Sequence, residues 1–114
     1  MIETILRKFL LDTLQECPEV RLEEPADPPA EMIILERTAG GSEGPGIYSA
    51  TFAIKSYSGS MLGAAALNEK VKDAMERLPE LDQIARCSLN SDYNFTDTKS
   101  KRYRYQAVFD ILYY

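Results

Sequence analysis

The last part of the chain decides the fold that we expect. Residues 84–95 read IARCSLNSDYNF, residues 96–101 read TDTKSK, and residues 102–114 read RYRYQAVFDILYY. In the final run the odd positions are apolar or aromatic: Tyr103, Tyr105, Ala107, Phe109, Ile111 and Tyr113. Because successive side chains of a β-strand point to opposite faces, this alternation predicts a strand. The first run predicts a second strand, with one shared face for Cys87, Leu89, Tyr93 and Phe95. The six polar residues between the runs cannot bury much surface, so the whole stretch is predicted to be a β-hairpin.

The end of the last strand is apolar on both faces. From residue 108 onwards only Asp110 is polar. A strand that is covered on both faces lies inside a sheet, with helices on one side. We expect a second subunit to cover the other side, and Leu112 and Tyr114 are the candidate contact residues.

The length and composition predict one globular domain that spans residues 1–114. A chain of 114 residues can bury about two thirds of its unfolded surface, and its 45% hydrophobic and 27% charged residues are ordinary for a globular protein. No apolar run approaches the ~20 residues of a membrane helix, and the first residues lack the layout of a signal peptide. We therefore expect a cytoplasmic protein without membrane contact.

Residues that commonly carry catalysis are scarce. The chain contains no histidine, which removes the commonest general base and metal ligand. Cys17 and Cys87 have no CxxC spacing and are predicted to be small buried hydrophobic residues. A net charge of −5 disfavours binding along a phosphate backbone. We expect no enzymatic activity, no cofactor and no bound metal.

Two amphipathic helices are predicted. Residues 1–16 carry apolar side chains at helical spacing, and Pro18 would end this helix. Ser60 is a good N-cap for a second helix over residues 61–78. The expected buried stripe of the second helix consists of Leu62, Ala65, Ala66, Val71, Ala74, Met75 and Leu78.

Three further strands are predicted between the helices, over residues 20–24, 31–38 and 47–57. Prolines 25, 28 and 29 make the connection between the first two of them extended. The order is therefore α-β-β-β-α-β-β. It predicts an α+β fold in which both helices pack on one face of a largely antiparallel sheet.

Two polar stretches are the candidate interaction sites. Residues 39–46 read AGGSEGPG, which lacks the Lys-Ser/Thr signature of a phosphate-binding loop and predicts a mobile hairpin tip. Residues 96–101 form the second predicted loop. Together with Leu112 and Tyr114, the candidate contact residues are Gly40, Gly41, Ser42, Glu43, Gly44, Thr98, Lys99 and Lys101.

The basic cluster and the aspartates predict no ligand. Lys99, Lys101, Arg102 and Arg104 alternate with tyrosines, as in some nucleic-acid-binding proteins. However, Tyr103 and Tyr105 would lie on the strand face opposite the arginines, and the protein is acidic, so no nucleic-acid specificity is expected. Asp92, Asp97 and Asp110 match no metal-binding loop and are interpreted as surface acids.

Four segments carry a resemblance to a known family: EMIILERTAGGSEG, IYSATFAIKSY, LNEKVKDAM and LNSDYNFTDTKSKRYRYQAVFDI. The chain resembles the tail-completion, or head-tail joining, proteins of long-tailed bacteriophages and prophages, which are related to tail terminators. The last segment is the most specific part. The resemblance implies an α+β fold, assembly in the host bacterial cytoplasm, and a hexameric ring in the virion. The implied partners are tail-tube and head-tail connector proteins, and no catalytic residues carry over.

Two alternatives remain open at this point. A small cytoplasmic protein-binding module, of the immunity or adaptor type, would show the same scarcity of catalytic residues. An enzyme that uses only carboxylates and tyrosines would need a deep pocket and a carboxylate with a strongly raised pKa. A ring of tail-completion subunits can require its partner protein for assembly. An isolated subunit can then remain a monomer.

Overall fold

The computed structural model describes residues 1–16 and 19–114. Over these residues the chain forms two α-helices, a short 3₁₀ helix and five strands. The elements are α1 (Ile2–Thr13), β1 (Val20–Arg21), β2 (Met32–Gly44), β3 (Ile47–Ser58), α2 (Met61–Glu76), a 3₁₀ turn (Leu78–Glu80), β4 (Ile84–Asn94) and β5 (Tyr103–Tyr113). The predicted α+β class and element order are confirmed. Cys17 and Pro18 lie outside the described residues, so the predicted burial of Cys17 is not tested. Helix α1 ends at Thr13, three residues before the predicted end at residue 16.

The five strands form one sheet in the order β1-β2-β3-β5-β4. Only the β1–β2 pair is parallel, and every other pair is antiparallel. The last strand lies between β3 and β4, which confirms its predicted interior position. The thirteen residues of β2, at about 3.3 Å each, account for most of the 46 Å long axis of the molecule.

Both helices pack on one face, which we call the helix-bearing face, and the other face is called the helix-free face. The odd-numbered residues of β5 face the helices as predicted, and Ala107, Phe109 and Ile111 are buried there. The core has further members in both helices and in β2 and β3: Ile2, Leu6, Leu10, Ile33, Leu35, Ala50, Phe52, Ile54, Leu67, Val71, Ala74 and Met75. Burial of each large side chain stabilises the fold by about 1.5–3 kcal/mol.

The buried stripe of α2 differs from the predicted one. Ser60 caps the helix as expected, because its hydroxyl accepts a hydrogen bond from the Gly63 amide at 3.0 Å. However, Leu62 is 82% exposed and Ala66 is exposed, whereas Ala64 and Asn68 are buried. The buried positions Ala64, Leu67, Val71, Ala74 and Leu78 keep helical spacing, and the buried Asn68 lies beside them. An apolar search passes over this residue because it is polar.

The stretch 39–46 forms the end of a hairpin, as predicted, but most of it lies in strand β2 rather than in a loop. Strand β2 continues to Gly44, and Gly40, Gly41 and Ser42 pair with residues of β3. The turn itself is Pro45–Gly46. Gly44 has φ +139° and Gly46 has φ +74°, a backbone region that favours glycine. The composition was read as flexibility, but cross-strand hydrogen bonds hold most of this stretch in the sheet.

A bulge in β4 overturns the single face predicted for Cys87, Leu89, Tyr93 and Phe95. The register shifts between Leu89 and Ser91, so two residues of β4 oppose one of β5 at this point. Cys87 and Leu89 remain on the helix-bearing face. Tyr93 pairs with Gln106 and therefore points to the helix-free face. One extra residue reverses the parity of all positions after it.

Candidate interaction surfaces

The two predicted contact loops lie at opposite ends of the sheet. Tyr48 at the start of β3 pairs with Tyr113, whereas Ser58 at its end pairs with Tyr103. The hairpin of β2 and β3 therefore lies beside the end of β5, and the loop of residues 96–101 lies at the other end. The structure brings residues 40–44 close to Leu112 but separates them from Thr98, Lys99 and Lys101. The ten candidate residues form two surfaces rather than one.

The hairpin end combines exposed aromatic and polar groups. Gly40, Gly41, Ser42 and Glu43 are exposed and Gly44 is half-buried. Tyr48 is 43% exposed, its ring lies 5.7 Å from the ring of Tyr113, and Tyr114 is 64% exposed. A shallow hollow of about 390 Å³ lies on the helix-free face, lined by Glu43, Ser49, Thr51, Arg86, Asp110 and Leu112. Leu112 is only half-buried there, so the chain itself does not fully cover this side of β5.

Asp110 in this hollow is a fixed carboxylate. Its Oδ2 accepts a hydrogen bond from the Asn90 amide at 3.0 Å, and its Oδ1 accepts one from the Thr51 hydroxyl at 2.8 Å. These bonds, that from Asn90 first, hold the pKa of Asp110 below its usual value. The carboxylate is thus charged at neutral pH and suits binding rather than proton donation.

The other end of the helix-free face carries an arginine–aromatic cluster that the sequence reading missed. Arg104 donates from Nε to the Phe95 carbonyl oxygen at 2.6 Å and from Nη1 to the Tyr57 hydroxyl at 3.1 Å. Its guanidinium carbon lies 4.5 Å from the centre of the Phe95 ring, and that of Arg102 lies 5.0 Å from the Tyr57 ring. Tyr103 and Tyr105 do lie on the opposite face, as predicted. The aromatic partners come from other strands, so only cross-strand register could have identified them.

Arg102 ties the proline-rich connection to this end of the sheet. Its Nη1 lies 2.6 Å from Oε1 of Glu24, in the segment that precedes β2. Since Arg102 and Arg104 already have partners within the chain, the cluster has a clear structural role. Thr98, Lys99 and Lys101 remain exposed beside it.

The thiol of Cys87 is not activated. Burial, and next the charge of Asp110, raise its pKa to about 12. The side chain is half-buried, rather than fully buried as predicted. A protonated thiol is a poor nucleophile at neutral pH.

A polar cluster joins α2 to β4 on the helix-bearing face. Asn68, which is 1% exposed, donates to Oδ1 of Asp92 at 2.6 Å, and Nζ of Lys72 lies 2.5 Å from Oδ2. Burial, the largest single influence, raises the pKa of Asp92, but the hydrogen bonds from Lys72 and Asn68 outweigh it and leave the pKa below its usual value. Hydrogen bonds to Asp92, and then to Glu69, raise the pKa of Lys72. The charged pair is thereby stabilised.

The three aspartates considered as metal ligands are apart. Asp92 lies on the helix-bearing face, Asp110 lies on the helix-free face, and Asp97 lies in the loop before β5. Among residues 1–16 and 19–114, no three metal-ligating side chains form a group that could hold an ion.

Replacing Asp92 with alanine should lower the free energy of unfolding by about 1–3 kcal/mol at pH 7, because the buried Asn68 amide loses its acceptor. The folded pKa of Asp92 is depressed, so its contribution is present above the unfolded pKa of about 3.9 and is lost as the pH falls through the folded pKa. Urea denaturation at pH 7 and pH 3 should therefore show the difference between variant and wild type shrinking in acid. Asp73→Ala, at an exposed position of α2, is the control. A difference independent of pH would contradict the prediction.

Comparison with known proteins adds no relative. No protein-family model matches the chain, and no curated protein matches it. Within the part of the chain that the structure describes, no helix is long and apolar enough to cross a membrane. The fold and its surfaces define the class as a small α+β domain with an exposed hairpin end.

Proposed function

We propose that this chain is a non-enzymatic assembly protein of a long-tailed bacteriophage. It acts at the head-proximal end of the tail, where it terminates the tail tube and joins the tail to the head. The observation that carries the proposal is the exposed hairpin end. Its strand residues 40–43 are exposed and lie beside the hollow at Leu112. The resemblance of residues 31–44 and 89–111 to tail-completion proteins supports the same function.

The chemistry of the hairpin end suits protein binding. Ile47, Tyr48 and Tyr114 expose apolar area, and aromatic side chains are enriched in protein interfaces. Beside them, Glu43, Arg86 and Asp110 offer charges of both signs around the half-buried Leu112. An apolar contact surrounded by polar groups is the usual composition of an interface. In the proposed function, tail-tube and connector proteins contact this end, and like subunits form a ring.

The same surface also suits the alternative function, a small binding module of the immunity or adaptor type. Its exposed aromatic residues would bind a single soluble partner. The genes next to this one distinguish the two functions, since portal, capsid and tail genes accompany a tail-completion protein. A monomer in a stable one-to-one complex with a neighbouring gene's product would favour the module.

Shortening the hairpin tests the proposed function. Gly40 pairs with Ala50, so replacing residues 41–49 with Asn-Gly should close a two-residue turn between them and leave the core in place. Deleting residues 40–44 alone would leave β3 without its partner. We expect a folded protein by circular dichroism, but a yield of infectious particles at background when the variant complements a prophage that lacks the gene. Leu62→Ser, exposed on α2, should keep the full yield. A shortened variant with wild-type yield would refute the function.

A further inference from the structure

The sheet has two long edges that the described residues leave unpaired. Strand β1 pairs only with Ile33 and Ile34, so residues 35–44 of β2 have no strand on their outer side. Strand β4 pairs with β5 alone, over its full length. Unpaired backbone amide and carbonyl groups at a sheet edge are a template for another strand.

Some of the usual devices against pairing are present: each edge has two bulges, and the Arg37 side chain donates from Nε to the Ala39 carbonyl oxygen at 3.4 Å. Residues 35–44 and 84–94 contain no proline and no lysine, the residues that commonly block sheet edges. Both edges have irregularities, but each keeps a regular stretch of four residues: 39–42 in β2 and 86–89 in β4. A strand of regular geometry could therefore pair with either stretch.

The two regular stretches lie at the same level of the sheet. Ala39 pairs with Thr51, Thr51 with Asp110, and Asp110 with Ser88. By the same ladders, Gly40 is level with Cys87 and Gly41 with Arg86. If the sheet of a second copy continues the sheet of the first, residues 86–88 of one copy lie directly opposite residues 39–41 of the other.

The direction and charge of the two edges are complementary. Each of the three antiparallel pairs from β2 to β4 reverses the direction, so β2 and β4 run in opposite directions, and a sideways continuation makes the new pair antiparallel. Glu43 and Arg86 border the same hollow. In the continued sheet, Arg86 of one copy lies on the strand next to the one that carries Glu43 of the neighbouring copy. These two side chains have opposite charges.

We propose that copies of this chain join edge to edge, with residues 86–88 of β4 in one copy forming an antiparallel ladder with residues 39–41 of β2 in the next. The two edges are different surfaces, so the contact is head-to-tail, and it closes a ring when the rotation from one copy to the next divides a full turn. This inference rests on the proposed function for its role, where it names the contact between ring subunits.

Cysteine cross-linking of purified protein tests the ladder. One protein carries Ala39→Cys and another carries Ser88→Cys, both with Cys17 and Cys87 replaced by alanine. Directly opposite residues of an antiparallel pair have Cβ atoms about 4.5–5.5 Å apart, which suits a disulfide after small adjustment. Under copper-catalysed oxidation, we expect a cross-linked dimer only when the two proteins are mixed. Thr98→Cys, exposed at the other end of the sheet, replaces Ala39→Cys in the control and should give none.

Each other result overturns the proposal. A dimer of the Ser88→Cys protein alone would show that β4 pairs with itself, and no dimer at any concentration would exclude the contact between free copies. If the alanine background fails to fold, hydrogen exchange of the wild-type protein serves instead. Amide protection of residues 39–41 and 86–88 must then rise together with concentration, and unchanged protection overturns the ladder. These measurements involve no phage particles. A negative result would therefore overturn the ladder but not the proposed function, which the hairpin experiment tests.

Discussion

Replacing Ile111 with aspartate should leave the protein unfolded at pH 7, whereas the same change at the next residue, Leu112, should leave it folded. Ile111 is 1% exposed and faces the helices, between Ala50 and Cys87 on the neighbouring strands. A carboxylate there costs several kcal/mol because it is removed from water without a partner, and the apolar contacts of isoleucine are lost as well. The sum is comparable with the total stability of a typical domain, about 5–15 kcal/mol.

Leu112 points to the helix-free face, where the hollow admits water and Arg86 offers a positive charge. We expect Leu112→Asp to lower the free energy of unfolding by about 1–2 kcal/mol. It should also reduce self-association, measured as mass by light scattering over a wide range of concentration. Circular dichroism and urea denaturation compare the folding and stability of Ile111→Asp and Leu112→Asp. An unfolded Leu112→Asp protein would show that Leu112 belongs to the core and is no interface residue.

Replacing Phe52 with alanine should lower the free energy of unfolding by about 3–5 kcal/mol. Phe52 is fully buried in β3, opposite Phe109 of β5 and Arg37 of β2, at the centre of the helix-bearing face. Its removal leaves a cavity that the neighbouring strands cannot close, since ladders on both sides hold β3 in place. The midpoint of urea denaturation should fall without a change in slope.

The control for Phe52 is Leu62→Ala on α2. Leu62 is 82% exposed, so we expect a change within about 0.5 kcal/mol. From periodicity alone Leu62 was expected in the buried stripe, and the two readings therefore predict different results. A loss of 2 kcal/mol or more, as for a buried leucine, would mean that the first turn of α2 packs on the sheet after all.

The sequence predicts the structure correctly where hydrophobic period and local geometry agree. The alternation of β5 identified the residues that face the helices, because the period of a strand follows from covalent geometry. Ser60 identified the start of α2, because an N-cap hydrogen bond is local. The element order then specified the α+β class.

Local patterns do not predict the structure where one extra residue changes the strand register, or where a polar group has its hydrogen-bond partner on a distant element. The bulge at Leu89 and Ser91 leaves no mark in composition, yet it carries Tyr93 and Phe95 to the helix-free face. Asn68 was left out of the stripe because its acceptor, Asp92, lies on another element. Glycines 40 and 41 predicted a loop, but pairing with β3 extends β2 through them.

The candidate contact residues show the same division. Local composition identified both polar segments, and hydrophobic pattern identified Leu112 as a residue on the second face of β5. Neither could place the segments at opposite ends of a sheet, because strand order depends on which strands pair. Nor could they reveal the free edges of β2 and β4, since an edge is defined by the partner that a strand lacks.

The sequence by itself therefore determined the helices, the faces of the last strand and the fold class of this protein. These features depend on side-chain periods and caps within a few residues. Only the tertiary structure decided the register beyond the bulge, the arginine–aromatic cluster and the two open edges. These depend on hydrogen bonds between strands that are far apart in the chain, which no local pattern specifies.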